Sequence, residues 1–203
     1  MIKPSAVIAR AFNAYLDQSR WLEWKEVDGN KVPFTPGTNR KAAVNKSASW
    51  RTLEECRSEQ RGIVFNADGL GGVDLDGCRD PKTGAVAPWA MEIVNDFDSY
   101  AEVSPSGTGV KIFARGAPGE IVNHTLSMPG EPINGKRPQI EAYVNNRYFT
   151  VTGDRLPEAP DGIRETPESW ARLVRHLEQQ PASDKTQAAG RNAALFKLES
   201  GEA

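Results

Sequence analysis

Gly71-Gly72-Val73-Asp74-Leu75-Asp76-Gly77 is the stretch whose reading decides the fold. Apolar and acidic residues alternate through it. In an extended chain Val73 and Leu75 fall on one face, and Asp74 and Asp76 on the other. The pattern predicts a strand with one face in a core and two carboxylates about 6.5–7 Å apart on the opposite face. Each carboxylate can offer an oxygen to a shared divalent cation, or the two can bridge a pair of cations. Oxygen-only ligands favour Mg²⁺ or Mn²⁺. Taken alone, the same spacing also suits a solvated strand face or an Asx turn before Gly77.

The surrounding chain supplies partners for this strand. Runs of strand character cover Gly62 to Phe65, Tyr100 to Val103, Val110 to Ala114, Gln139 to Val144 and Tyr148 to Thr152. A helix is predicted over about Ala87 to Asp96, with Pro88 suited to its first turn. Another is predicted from Pro167 to Gln179, capped by Thr166. Upstream, apolar spacing predicts a helix from Ser5 to Leu22 and a second from Ser47 to Gln60. Trp21 to Phe34 reads as a hairpin turning at Asp28-Gly29, and Asn145-Asn146 reads as the turn of another. Strands mixed irregularly with helices and hairpins predict an α+β fold.

Composition narrows the function classes. The chain of 203 residues has 25 basic and 27 acidic side chains, a net charge of -2, so a strongly basic nucleic-acid coat is excluded. A local basic groove is compatible with that total. The two cysteines, Cys56 and Cys78, and two histidines, His124 and His176, match no zinc-site spacing, and both cysteines read as free thiols. No run approaches the ~18 consecutive apolar residues of a membrane span. The start, Met1-Ile2-Lys3-Pro4-Ser5, has no apolar signal core, so a cytoplasmic protein is expected.

Three further elements bear on chemistry. Glu141 lies in Gln139-Ile140-Glu141-Ala142-Tyr143-Val144, a carboxylate amid apolar neighbours that is costly if buried alone. A metal shared with Asp74 and Asp76 would offset that cost, and an edge strand facing water is the alternative. Ser104-Pro105-Ser106-Gly107-Thr108-Gly109 is a loop whose glycines free backbone N–H groups for an anion. It feeds a strand bearing Lys111, whose charge suits a triphosphate. A plain glycine-containing hairpin loop is the bland alternative. Arg147, in Asn145-Asn146-Arg147-Tyr148-Phe149, can hold a phosphate. The loop Asn39-Arg40-Lys41 is a further candidate for nucleic-acid contact.

In this order the elements resemble the archaeo-eukaryotic primase superfamily, and more narrowly the primase-polymerase (prim-pol) domains of phage and plasmid replication proteins. That family reads an hDhD strand, an SGxGxH loop and strand, and an h(D/E) strand. Here they stand as Val73-Asp74-Leu75-Asp76, Ser106-Gly107-Thr108-Gly109-Val110-Lys111 and Ile140-Glu141. The resemblance covers about residues 15 to 180. Lys111 replaces the family's usual histidine, which keeps a donor and a fixed positive charge but removes the imidazole.

The resemblance implies an RRM-like catalytic sheet packed beside a smaller α/β portion, with the active site in the cleft between them. It implies DNA primase and polymerase activity on single-stranded DNA in phage or plasmid replication. Two divalent ions, Mg²⁺ or Mn²⁺, would be held by Asp74, Asp76 and Glu141. The nucleotide, a dNTP or NTP, would be held by Ser104, Ser106, Gly107, Thr108, Gly109, Lys111 and Arg147. Template and primer strands would be the partners, with a helicase or helical primase module downstream. The expected organisation is a catalytic domain over residues 1–180, a linker over 181–190, and the start of a helical region over 191–203. The other classes compatible with these residues are a metal-dependent nuclease and a non-catalytic replication-initiator module that binds DNA.

Overall fold

The computed structural model describes residues 5–179. The linker and helical region expected over 181–203 lie outside them. Alternation around Asp74 does produce the strand expected. β4 spans Gly71–Asp76, with Val73 and Leu75 fully buried and both aspartates half-buried. It is the central strand of a five-stranded antiparallel sheet ordered β5-β6-β4-β8-β7. The partners are β5 (Ala101–Val103), β6 (Val110–Ala114), β7 (Thr125–Ser127) and β8 (Gln139–Tyr143). A second antiparallel sheet has the order β2-β1-β3-β9. It comprises β1 (Trp21–Val27), β2 (Asn30–Phe34), β3 (Arg61–Asn66) and β9 (Asn145–Val151). The fold is thus mixed, α+β, with two antiparallel sheets and few helices.

Burial of both faces of the five-stranded sheet explains its composition. Val73, Leu75, Ile112, Ile140 and Ala142 face α2 (Pro88–Phe97) and α3 (Pro167–Glu178), which contribute Ile93, Val94, Phe97, Trp170, Leu173 and Leu177. The other face packs on the four-stranded sheet. There Phe113 and Tyr100 meet Phe65, Phe149 and Ile63, with Ile8, Ala11 and Phe12 closing the end. Phe149 stands edge-on to Phe65 at 4.9 Å and to Phe113 at 5.9 Å between ring centroids. Gly72 allows this approach, because a Cβ there would lie 2.4 Å from the Phe149 ring. Both cysteines are buried free thiols, pushed up to about 12 chiefly by burial, which makes them inert.

Four local expectations need correction. The first helix, α1, stops at Ala11, and a single 3₁₀ turn follows at Asn13–Tyr15. Trp21 and Leu22 belong instead to β1, where the Trp21 backbone exchanges hydrogen bonds with Arg51. That same pairing pulls Arg51 into extended conformation, so Ser47 to Gln60 forms two 3₁₀ turns and no helix. Thr52 and Glu55 make a reciprocal capping box that starts the second turn afresh. Asn145-Asn146 is not a hairpin turn, because β8 and β9 lie in different sheets and the chain crosses between them there. Thr166 is at the α3 N-cap but its hydroxyl makes no capping bond. The Asp28-Gly29 hairpin forms as expected, pairing Val27 with Asn30.

Candidate active site

Register assembles the site. Across the five-stranded sheet Glu102 pairs with Lys111, Lys111 with Asp74, Asp74 with Glu141, and Glu141 with Thr125. These side chains therefore share one row on one face. The neighbouring row, Phe113–Gly72–Tyr143, is apolar or aromatic and faces the other sheet. On the opposite side of the charged row lies Asp76, paired with Gln139. Polarity thus rises stepwise from the inter-sheet core to the aspartate pair.

Lys111 is nearly buried, and its ammonium bonds Asp74 Oδ2. It also lies 4.4 Å over the Phe149 ring. Asp74 Oδ1 is buried and accepts no hydrogen bond. Burial, and then the charge of Asp74, push the Asp76 carboxyl above its ordinary range, while Lys111 and Lys136 pull it down. A buried, unsatisfied carboxylate oxygen beside a second, desolvated carboxylate fits a hard divalent cation. Asp74 and Asp76 are the residues that fit one. Glu141 is engaged otherwise: it accepts from Gln139 Nε2 at 2.7 Å and Tyr143 OH at 3.0 Å, with Arg147 3.8 Å away. Among the described residues no three Asp, Glu, His or Cys side chains are gathered into a metal-holding group.

The Ser104–Gly109 loop closes the β5–β6 hairpin beside this pair. Its hydroxyls form a ladder, Ser104 to Ser106 at 3.0 Å and Ser106 to Thr108 at 2.9 Å. Gly107 has φ +74, and its carbonyl accepts from Arg79 Nη1 at 2.9 Å. A Cβ on Gly109 would come 2.7 Å from the Leu75 carbonyl and 3.5 Å from Asp76 Oδ1, which places the loop against the aspartate strand. Arg147 lies 4.5 Å over the Tyr143 ring, and His124 stacks on that ring at 5.2 Å. Structure therefore brings Asp74, Asp76, Glu141, Lys111, Arg147 and the glycine loop to one region. Asn39, Arg40 and Lys41 lie in the exposed loop after β2, where Asn39 accepts from Lys25 at 2.8 Å.

Two groups were missed by sequence reasoning. Glu102 is fully buried and accepts from Thr152 N at 2.8 Å, Gly153 N at 3.0 Å and Tyr100 OH at 2.9 Å. It ties β5 of one sheet to the exit of β9 from the other. Lys31 and Lys136 also border the aspartates, and only the tertiary fold brings them there.

The fold and site define a class: a two-sheet α+β domain with paired carboxylates, a lysine and a glycine loop at the margin of the inter-sheet core. No protein-family model matches the chain. A curated relative, the DNA primase-polymerase of Nitratiruptor phage NrS-1, is 28% identical to it over 166 residues, covering 76% of this chain and 22% of the phage protein. The chain thus spans less than a quarter of the length of the relative it matches. No helix among the described residues is long and apolar enough to cross a membrane.

Proposed function

We propose that this domain performs template-directed nucleotidyl transfer, as a DNA primase and polymerase using single-stranded DNA with dNTP or NTP substrates. The similarity to a phage primase-polymerase supports a role in replication. The observation that carries the reading is the aspartate pair on a central strand, with Asp74 Oδ1 buried and unsatisfied and a hydroxyl-rich glycine loop against Asp76. The finer fold assignment, an RRM-like catalytic sheet beside a smaller portion, belongs to the same reading. The β4-α2-β5-β6 order with helices on one face supports it.

In this reading Asp74 and Asp76, with Glu141 once released from Gln139 and Tyr143, hold Mg²⁺ or Mn²⁺. Bound divalent ions supply charge neutralisation at the attacking 3′-hydroxyl and at the leaving pyrophosphate. The chain's own residues do the rest. Lys111 keeps Asp74 neutralised until substrate arrives, and its donor then turns to a phosphate oxygen. Ser104, Ser106 and Thr108 hydroxyls with the Gly107–Gly109 backbone orient the triphosphate. Arg147, already beside Glu141, is placed to meet a phosphate from the β9 side. The Phe149–Phe113–Phe65 cluster excludes water from the inner end of the site.

The test is synthesis on a single-stranded template with and without primer, with dNTPs or NTPs and Mg²⁺ or Mn²⁺. Asp74→Ala/Asp76→Ala is the control. Metal-dependent extension lost in the control is expected, and primer-free products would identify a primase. No synthesis under any condition would sink the reading. One observation favours a second reading, a DNA-binding module without chemistry: Lys111 already neutralises Asp74 from within the chain. DNA binding indifferent to metal and nucleotide would select it.

A further inference from the structure

Two lysines outside the row just described emerge from turns of the same construction. Lys31 follows Asp28-Gly29, whose φ values of 50 and 74 close the β1–β2 hairpin. Lys136 follows Asn134-Gly135, with φ values of 48 and 77, in a small hairpin where Ile133 and Lys136 exchange backbone bonds of 2.9 Å. Two-residue turns of this type are stiff, so both lysine backbones are fixed.

Both turns are then anchored beside the aspartates. The Lys31 carbonyl accepts from Tyr148 OH at 2.5 Å, and the next residue, Phe149, carries Lys111 over its ring. The Lys31 ammonium stands 5.9 Å over the Trp24 ring. Lys136 is seated from the other side: Gly77, the residue after Asp76, has φ +59, and a Cβ there would come 2.6 Å from the Lys136 carbonyl. One lysine thus comes from the four-stranded sheet and the other from the β7–β8 connection.

Charge at this place is unbalanced. Lys111 is committed to Asp74. Lys31 and Lys136 are exposed, and among the described residues neither forms an ion pair. The Lys31 ammonium is shifted below the ordinary lysine range by burial, then by the charges of Lys111 and Lys136, with Asp74 and Asp76 opposing. That electrostatic reach agrees with the anchoring contacts: three ammonium groups crowd one pair of carboxylates. Like charges held together by stiff turns are relieved by a multivalent anion.

We propose that Lys31 and Lys136 form a two-sided phosphate clamp over the Asp74–Asp76 pair, binding the phosphate chain of a nucleoside triphosphate or the backbone of a nucleic-acid strand. The clamp rests on the functional reading above for the identity of its ligand, but its existence is testable without catalysis.

The probes are inorganic tripolyphosphate and a single-stranded oligothymidylate, each titrated without divalent cation against the 203-residue protein. Trp24, under Lys31, serves as a fluorescence reporter, and calorimetry as a check independent of it. The variants are Lys31→Ala, Lys136→Ala, their double, and Lys46→Ala. Lys46 is exposed elsewhere and controls for net charge. Lys31→Arg tests whether charge alone restores binding, and thermal melting tests whether each variant is folded.

Each clamp variant is expected to weaken binding about five- to tenfold beyond Lys46→Ala, as loss of a charge-assisted phosphate bond does. Loss confined to tripolyphosphate assigns the clamp to the nucleotide. Loss confined to the oligonucleotide, with a salt slope reduced by ~0.7 per lysine, assigns it to the strand. Folded variants that bind both anions as Lys46→Ala does would overturn the clamp. If the protein synthesises nothing yet the clamp variants lose anion affinity, the clamp stands and the polymerase reading falls.

Discussion

β4 and β9 each carry charged side chains on a strand whose other residues pack inward, yet they treat that charge oppositely. β4 lies between two hydrogen-bonded neighbours, so Asp74 and Asp76 are held on a backbone with no freedom to move. β9 is the edge of the four-stranded sheet, and its Arg147 is half exposed, reaching out to Tyr143 and Glu141. Lys31 and Lys136 extend the pattern, since both stand at hairpin turns. Acids that define a reaction centre occupy the most constrained strand, and cations suited to a substrate's phosphates occupy margins. Precision of placement and latitude of grip are divided between the two parts of the molecule.

The sharpest way to break this comparison is Asp76→Asn. In the proposed reading it removes a metal oxygen and several kcal/mol of transition-state stabilisation, about 10³-fold in incorporation rate at ~1.4 kcal/mol per tenfold. The fold should keep or gain stability, because burial and Asp74 already disfavour the Asp76 charge. Primer extension and thermal melting on the same preparation check both halves. A variant that unfolds would show that Asp76 serves structure instead.

Phe149→Ala tests the seam between the sheets. The ring meets Phe65, Phe113 and Gly72 and underlies Lys111. Truncation should destabilise by about 3–5 kcal/mol, read by denaturant unfolding. Tyr148→Phe, on the opposite face of the same strand, removes only a hydroxyl bond to Lys31 and should cost ~1 kcal/mol. Equal losses would mean that the inner seam carries no special weight.

The smallest effect is a pH dependence. Burial pushes the Glu102 carboxyl up to about 7 against the bonds from Thr152, Gly153 and Tyr100. The folded state then binds a proton more tightly than the unfolded one. Its contribution is full below the ordinary glutamate range and is lost as pH rises through about 7. Melting of the native protein should therefore decline from pH 5 to 8 more than that of Glu102→Gln. Parallel profiles would show that Glu102 is ionised throughout.

Much of this was legible from local pattern. Alternation placed β4 and β6, and helical spacing placed α2 and α3, because each element buries a single periodic face. Ser47 to Gln60 failed because apolar spacing there competes with an extended pairing of Arg51 to Trp21 that no local signal announces. β8 and β9 read as a hairpin because two strands separated by asparagines look alike whether the chain turns back or crosses to another sheet. Asp74, Asp76 and Lys111 announced themselves by motif, and the structure brings them into contact or adjacency. Lys31, Lys136 and Glu102 did not, since their roles depend on residues tens of positions away.

The ion pair of Lys111 with Asp74 has a consequence for how the protein comes into being. Many cation-binding folds are unstable until loaded, because their ligands repel one another in the empty state. Here the polypeptide supplies its own counter-charge to the most deeply set ligand. Newly made chain can reach its native arrangement in a medium stripped of divalent ions, and a chelator should remove activity without melting the domain. Biogenesis and cofactor supply are thereby uncoupled by one side chain.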